Sequence, residues 1–327
     1  MSEAAPGPGA GRSALVTGGA GFIGSHLVDA LVAAGWRVRV LDDFSSGREE
    51  NLRDSGARVD LVKGDLCDPE LLPGLLEGVE VVFHQAAVPS VPRSVAEPLR
   101  THAVNATGTL LLLEAARRAG VRRLVYAASS SAYGDTPELP KVETMPARPR
   151  SPYALQKWTG ETYCRLYTDL YGLETVALRY FNVFGPRQNP ASEYAAVVPR
   201  FVVACLRGEP AVVYGDGEQT RDFTFVEDAV RANLRAAEAP SAAGQVVNVA
   251  GGRRVSLNQL LAAVGELCGR SLPARYEAAR AGDVRDSLAD LARARTLLGY
   301  EPVFTLREGL MRTIESFRKS GDGRTAR

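Results

Sequence analysis

The run Ser13-Ala14-Leu15-Val16-Thr17-Gly18-Gly19-Ala20-Gly21-Phe22-Ile23-Gly24 decides the fold. Its first residues form a short apolar run closed by glycine, the pattern of a buried strand, and a helical pattern opens at Phe22. Gly18 permits the tight turn between them, Gly21 lets the backbone approach a pyrophosphate, and Gly24 lets the helix pack against the sheet. The helix N-terminus adds unpaired N–H groups and the positive end of its dipole. Strand, glycine turn and helix in this order predict a dinucleotide site at the start of a parallel α/β sheet.

The same rhythm continues outward from that run. Strands are expected to end at Leu41, Gly64, His84 and Ser129, with helices from Phe22, from about Pro69, and from about Ser94 to Gly120. The fold class is therefore α/β, a Rossmann-type doubly wound parallel sheet over residues 13–180. After Tyr180 the run NVFGPRQNPASEY breaks the rhythm, and residues 181–317 are assigned mainly to a smaller C-terminal α/β substrate lobe. The strand pattern QVVNVA and a helix from about Ser256 to Leu267 are expected to rejoin the first domain or pack beside it. Residues 1–12 and 318–327 read as flexible tails.

The second strand runs into Leu41-Asp42-Asp43. Asp42 is placed to accept hydrogen bonds from both hydroxyls of an adenosine ribose, and its charge repels a 2′-phosphate, so NAD is favoured over NADP. Asp43 is the neighbouring alternative. Asp65, in Gly64-Asp65-Leu66, is either an adenine contact or a turn and capping residue.

Composition narrows the partners. The chain of 327 residues carries 39 Lys+Arg against 38 Asp+Glu, a net charge of +1, which leaves no electrostatic footprint for nucleic acid. Cys67, Cys164, Cys205 and Cys268 are scattered without a CxxC pair, and only His26, His84 and His102 could join them, so no metal site is expected. The N-terminal residues lack the basic start and apolar stretch of a secretory signal, and no apolar run reaches the ~18 residues of a membrane span. These features predict a cytoplasmic protein with reduced thiols.

Ser151-Pro152-Tyr153-Ala154-Leu155-Gln156-Lys157 reads as a helix start, with Ser151 as N-cap and Pro152 in the first turn. Tyr153 and Lys157 then share one helix face. A phenol of pKa about 10 is a poor base at neutral pH, and bringing it to 7 takes roughly 4 kcal/mol of preferential phenolate stabilisation. The Lys157 cation, the helix N-terminus and an oxidised nicotinamide all act in that direction. Alone, such a pair is commonly a half-buried ring beside a solvated charge. After a dinucleotide fold it becomes a candidate for proton transfer.

On TGGAGFIGSH, LDDFSSG, GDL, HQAAVPSVPRS, VNATGT, SSSAYGD, SPYALQK, RYFNVFGPRQ, GDGEQTRDFTFVED and RAGDVRDSLAD, the chain resembles the extended short-chain dehydrogenase/reductases over about residues 13–317. Within them it is most similar to the UDP-hexose 4-epimerase group, above all the UDP-N-acetylglucosamine 4-epimerases. The resemblance implies a tightly held NAD, a UDP-sugar substrate, inversion at C4 through a 4-keto sugar, and a homodimer formed by the helix before Gly120 and the helix of Tyr153. It implies a catalytic set of Ser129, Tyr153 and Lys157; Ser129 is read from its step before Tyr133, with Ser130 or Ser131 in its place if the loop slips. It also implies cofactor contacts from Phe22, Ile23, Leu66, Gln85, Ala86, Ala87 and Tyr180, beside Gly18, Gly21, Gly24, Asp42 and Asp65.

On the substrate side the resemblance implies Arg221 and Arg280 as diphosphate anchors. Asn182 matches a substrate amide, Tyr214 with Val197-Val198 a uracil wall, Asp283 a ribose carboxylate, and Ser130 a contact near the sugar. Ser287 matches the position where a small residue leaves room for an N-acetyl group beside C2. UDP-N-acetylglucosamine and UDP-N-acetylgalactosamine are therefore expected to interconvert, alongside UDP-glucose and UDP-galactose. A UDP-glucuronate 4-epimerase remains the alternative, because Arg187 in GPRQNP is placed to meet a carboxylate. A decarboxylase or 4,6-dehydratase fits less well, since Ser130, Ser131 and Ala132 supply no acid after Ser129. A non-catalytic NAD-binding regulator is opposed by the joint presence of the catalytic set and both arginines.

Overall fold

Successive side chains of a strand point to opposite faces of its sheet, and the two faces here carry different cores. Val16, Val40, Phe83, Val125 and Val176 join one apolar cluster, whereas Leu15, Leu41, Val82, Leu124 and Ala177 join another. Strands buried on both sides are what a parallel sheet sandwiched by helices requires. The structure, a computed structural model, describes residues 11–190, 196–279 and 284–320.

The strands are β1 (Ser13–Thr17), β2 (Arg37–Asp42), β3 (Val59–Lys63), β4 (Val81–His84), β5 (Arg123–Ser129) and β6 (Glu174–Tyr180), joined by a seventh at Gln245–Val249. Their spatial order is Gln245–Val249, β6, β5, β4, β1, β2, β3, and neighbours pair in parallel. Because β1 pairs with both β2 and β4, the order of strand addition reverses at β1 and opens a crevice beyond the carboxyl ends of β1 and β4.

A third cluster lies in the second half of the chain, where Val198, Phe201, Phe225, Leu260, Ile314 and Phe317 pack together. Helices Val197–Arg207, Leu257–Cys268 and Leu306–Ser320 supply most of it. Ser256 caps the second of these in a reciprocal bond pair with Gln259. Three small ladders among the described residues complete this lobe: Val183–Phe184 with Thr224–Phe225, Ala211–Tyr214 with Ala274–Glu277, and Thr220–Asp222 with Arg254–Ser256.

Two expected helices differ from the structure. The one from Ser94 to Gly120 is four pieces, Val91–Ala96, Pro98–His102, a π-helical stretch Ala103–Gly108, and Thr109–Arg118. Pro98 has no N–H to continue the ladder, and Glu97 before it leaves helical geometry at φ −128 and ψ 59. The helix expected near Pro69 is only the short Leu72–Leu76 segment. Among the described residues no helix is long and apolar enough to cross a membrane.

Candidate active site

Beyond the sheet's carboxyl edge lies a cleft of about 880 Å³, lined both by the glycine turn and by Ser129, Tyr153 and Lys157. Gly18 adopts φ +67, and a Cβ there would lie 2.7 Å from the Ala86 amide nitrogen. A Cβ on Gly24 would fall inside contact distance of the Gly18 carbonyl oxygen. The turn is thus closed against the end of β4, and the helix start against the turn. That helix, Phe22–Ala33, has Gly21 at its N-cap and no side chain capping it, so its first-turn N–H groups remain for an anionic ligand.

Asp42 ends β2 facing the same cleft. One carboxylate oxygen accepts the Ala20 N–H at 2.9 Å and the other the Phe44 N–H at 2.9 Å. Burial raises this carboxyl's pKa, and the amide bonds oppose that rise. Each oxygen keeps a lone-pair direction for a ribose hydroxyl. Asp43 is committed elsewhere, its Oδ1 accepting from both the amide and the hydroxyl of Ser45. Asp65 accepts the Cys67 N–H at 2.8 Å in a turn, and with Leu66 it still lines the cleft. Phe22, Ile23, Gln85, Ala86, Ala87 and Tyr180 line it too. The Tyr180 hydroxyl accepts from Gln85 at 3.2 Å and from Asn233 at 2.6 Å, and burial pushes its pKa up to about 12. A glycine cradle, an uncapped helix and a buried acceptor at the end of β2 fit an adenine dinucleotide without a 2′-phosphate.

Tyr153 and Lys157 ride on the helix Pro152–Tyr171. Ser151 caps it by accepting the Ala154 N–H at 3.1 Å, and the Tyr153 amide donates to Ser94 Oγ at 3.0 Å. A Cβ on Gly160 would clash with the Tyr126 hydroxyl, which donates to the Lys157 carbonyl at 3.3 Å. Close packing on β5 therefore sets the helix, and places the Lys157 ammonium 4.3 Å from the Tyr126 ring centroid. Burial lowers the Lys157 pKa to about 7. Burial also raises the Tyr153 pKa, against which the hydrogen bond with Ser129 acts. Ser129 closes β5, and its hydroxyl oxygen accepts from the Ser131 hydroxyl at 2.8 Å. Ser130 and Ser131 line the cleft beside it.

A buried polar chain beneath this set escaped sequence reasoning. The Thr109 hydroxyl donates to the Asn105 carbonyl at 2.8 Å, so it accepts from His84 Nε2 at 2.9 Å. His84 Nδ1 then accepts from the Thr17 hydroxyl at 2.8 Å, whose oxygen takes the Ala86 N–H at 3.3 Å. This direction of donation assigns His84 the neutral Nε2–H tautomer. Burial holds its pKa down at about 3, and the Lys157 charge acts the same way. Asn105 extends the chain by bonding Val88 and the Gln156 side chain on the helix that carries Tyr153 and Lys157. The HQAA and VNATGT runs held these residues, but nothing local in them signals a contact across so much sequence.

Toward the second lobe the cleft adjoins a hollow of about 210 Å³ lined by Asn182, Val197, Val198, Tyr214 and Arg221. The Arg200 guanidinium stands 5.0 Å from the Tyr214 ring centroid, and Arg221 Nη1 donates to the carbonyls of Thr220 and Arg285. Ser287 is 8% exposed, lines the larger cleft, and accepts the Asp222 N–H at 3.3 Å. Arg280 and Asp283 lie outside the described residues. Arg187 lines the cleft and pairs with Asp29 at 2.7 Å and Asp54 at 3.6 Å through Nη2, while its buried Nη1 has no hydrogen-bond partner among the described residues.

Comparison with known proteins adds the relatives. Residues 14–250 match the family model described as the NAD dependent epimerase/dehydratase family. The chain is 45% identical to a UDP-glucose 4-epimerase of Mycolicibacterium smegmatis, over 93% of this chain and 98% of that protein. It superimposes with a TM-score of 0.92 and 40% identity on a UDP-N-acetylglucosamine 4-epimerase of Methanobrevibacter ruminantium, solved with UDP-N-acetylmuramic acid, covering 95% of this chain and 99% of that one. A UDP-glucose 4-epimerase of Thermotoga maritima, solved with UDP-glucose, gives 0.91 at 41% identity over 94% and 99%.

Proposed function

The chain belongs to the NAD dependent epimerase/dehydratase family, and from that premise we propose that it is a UDP-hexose 4-epimerase acting on UDP-N-acetylglucosamine and UDP-N-acetylgalactosamine, with UDP-glucose and UDP-galactose alongside. The observation that carries this is one cleft shared by the glycine cradle and the Ser129, Tyr153 and Lys157 set. The acetamido preference draws on Ser287, whose small side chain lines that cleft, and on a structural neighbour that binds an N-acetylated UDP-sugar.

NAD, held by the glycine cradle and Asp42, would supply a hydride acceptor for sugar C4 and a hydride donor for the resulting ketone. Tyr153 as phenolate takes the O4 proton, and Ser129, already bonded to the phenol, hydrogen-bonds the same sugar oxygen. Because burial raises the phenol's pKa, the base depends on positive charge gathered around it, to which the chain contributes the Lys157 cation and the helix N-terminus. Proton return from Tyr153 to O4 closes a redox-neutral cycle. Arg221, with Arg280 beyond the described residues, holds the diphosphate while the hexose turns, so remote binding energy is used to keep the intermediate in place. Tyr214, Val197 and Val198 wall the uracil, and Asn182 and Ser130 orient the substrate between the two ends.

UDP-glucuronate is the second reading: Asp29 and Asp54 match the Arg187 charge, but its buried Nη1 in the cleft is unpartnered among the described residues and suits a carboxylate. Four free thiols fit a reducing, cytoplasmic setting. Incubation with UDP-glucose, UDP-N-acetylglucosamine and UDP-glucuronate, followed by anomeric NMR, tests the reading; formation of no C4 epimer from any of them refutes it. Ser287→Tyr tests the acetamido preference: selective loss of the N-acetylated pair is expected, and equal retention of both pairs removes the gate.

A further inference from the structure

Lys141 takes no part in the chemistry above, yet it is only 1% exposed and lines the catalytic cleft together with Ser131, Gly134 and Ser287. Its backbone is clamped beside Ser287. The Lys141 N–H donates to the Leu288 carbonyl at 2.7 Å, and its own carbonyl accepts from the Asp290 N–H at 2.9 Å and from Asn248 Nδ2 at 2.9 Å. The ammonium donates to the Thr136 carbonyl at 2.6 Å and to the Thr136 hydroxyl. An ammonium has three N–H donors, and among the described residues Thr136 accepts from two of them.

Among the described residues no carboxylate stands within ion-pair distance of the ammonium, though Glu138, Asp135 and Asp286 act on it electrostatically. Asp135 pairs with Arg150 and accepts the Arg285 N–H, and Asp286 accepts the Thr220 hydroxyl. These acids and Glu138 act on Lys141 only at longer range, and burial outweighs them. A buried donor with no partner is costly, and a charged one favours strong acceptors. Lys141 lines the cleft, and a further N–H of its ammonium gains most from an oxygen that carries no proton of its own.

We propose that Lys141 is a specificity-determining residue that donates its remaining N–H to a proton-free oxygen on the hexose, the carbonyl of a C2 acetamido group or the carboxylate of a uronate. The proposal rests on the 4-epimerase reading. It separates hexoses bearing an acetamido carbonyl or a carboxylate from plain hexoses, whose hydroxyl, ring and glycosidic oxygens are weaker acceptors for the ammonium.

The test is Lys141→Met, which keeps the stem's length and removes the charge, assayed with wild type on UDP-N-acetylglucosamine, UDP-glucuronate and UDP-glucose. Relative to UDP-glucose, kcat/KM for one of the two acceptor-bearing sugars is expected to fall about 10-fold or more, chiefly through KM. Which of the two responds identifies the oxygen. An equal change on all three overturns the role of Lys141 while leaving the epimerase intact, whereas a wild type inactive on all three overturns both readings. Bound NAD in the variant reports folding. Should the methionine variant lose it, Lys141→Arg keeps the charge but moves the donors, and the ratio between sugars must then shift; an unchanged ratio overturns the proposal.

Discussion

Lys157 is 3% exposed, with its ammonium over the Tyr126 ring, and burial brings its pKa down to about 7. The free value is about 10.4, so between about pH 7 and pH 10 the unfolded chain binds more protons than the folded one. Stability of the NAD-free protein therefore rises with pH through that window, and the cost of the buried cation is fully present below it. Lys157→Met is expected to stabilise the NAD-free protein on the order of 1–3 kcal/mol near pH 6, with the gain vanishing toward pH 10, while turnover falls. Denaturant melts at both pH values check it, and a variant no more stable than wild type at pH 6 defeats the argument. Tyr153→Phe is expected to cut turnover by about 10²–10⁴-fold while UDP-sugar affinity holds, because the ring still packs and only the proton acceptor is lost. Parallel loss of binding and turnover would reduce Tyr153 to a packing residue. Tyr153 and Lys157 were legible because helix spacing alone puts them on one face. The bond between Ser129 and the phenol was not, since three adjacent serines share one local signal and only the end of β5 orders them.

At the scale of elements, the glycine turn was readable because each glycine answers a backbone requirement. A methyl group on Gly24 meets the Gly18 carbonyl oxygen, so Gly24→Ala must push the helix away from the turn. Overpacking of this kind costs about 1–3 kcal/mol, and here NAD affinity is expected to fall with it. Dinucleotide titration and a thermal melt measure the two effects, and retention of both would mean the helix start yields freely. The broken helix around Pro98 and the π-helical stretch at Ala103–Gly108 were less legible. There the backbone follows Asn105, which is buried between Val88 and Gln156, and only the folded chain brings those partners together. His84 belongs to the same buried chain and contributes its full stability above about pH 6.5, where both folded and unfolded forms are neutral. As pH falls from about 6.5 toward 3 the unfolded chain takes the proton first, and that contribution is lost. His84→Phe is expected to be less stable than wild type at pH 7, by about 1–3 kcal/mol for the hydroxyls it leaves unpaired, yet to lose less stability on acidification to pH 4. Urea melts at the two pH values separate these effects; equal slopes would move the acid sensitivity elsewhere.

For the molecule as a whole, alternating strand and helix patterns made β1 to β5 readable, whereas β6 was not read and Gln245–Val249, which pairs with it, was read only as a segment rejoining the first domain or packing beside it. The second lobe was less readable: its ladders are short, and its core depends on helices far apart in sequence. One feature of the surface extends past the single chain. The helix Pro152–Tyr171 buries Lys157, Gly160, Glu161 and Cys164 on its inner side, but exposes Leu155, Trp158, Leu166 and Leu170, the last at 67%, with Leu99 also exposed. These exposed apolar side chains are where the homodimer expected from the sequence would place its contact, with a second copy of this chain as the occupant. Pairing there would brace the element that carries Tyr153 without covering the cleft. Leu166→Glu combined with Leu170→Glu places charge in that contact and is expected to shift the protein from dimer to monomer in sedimentation velocity, with specific activity falling on dilution. Met311→Glu, on the separate helix Leu306–Ser320, serves as the control and should leave the dimer in place. A wild type that sediments as a monomer at every concentration would leave the stripe without a partner copy and exclude this arrangement.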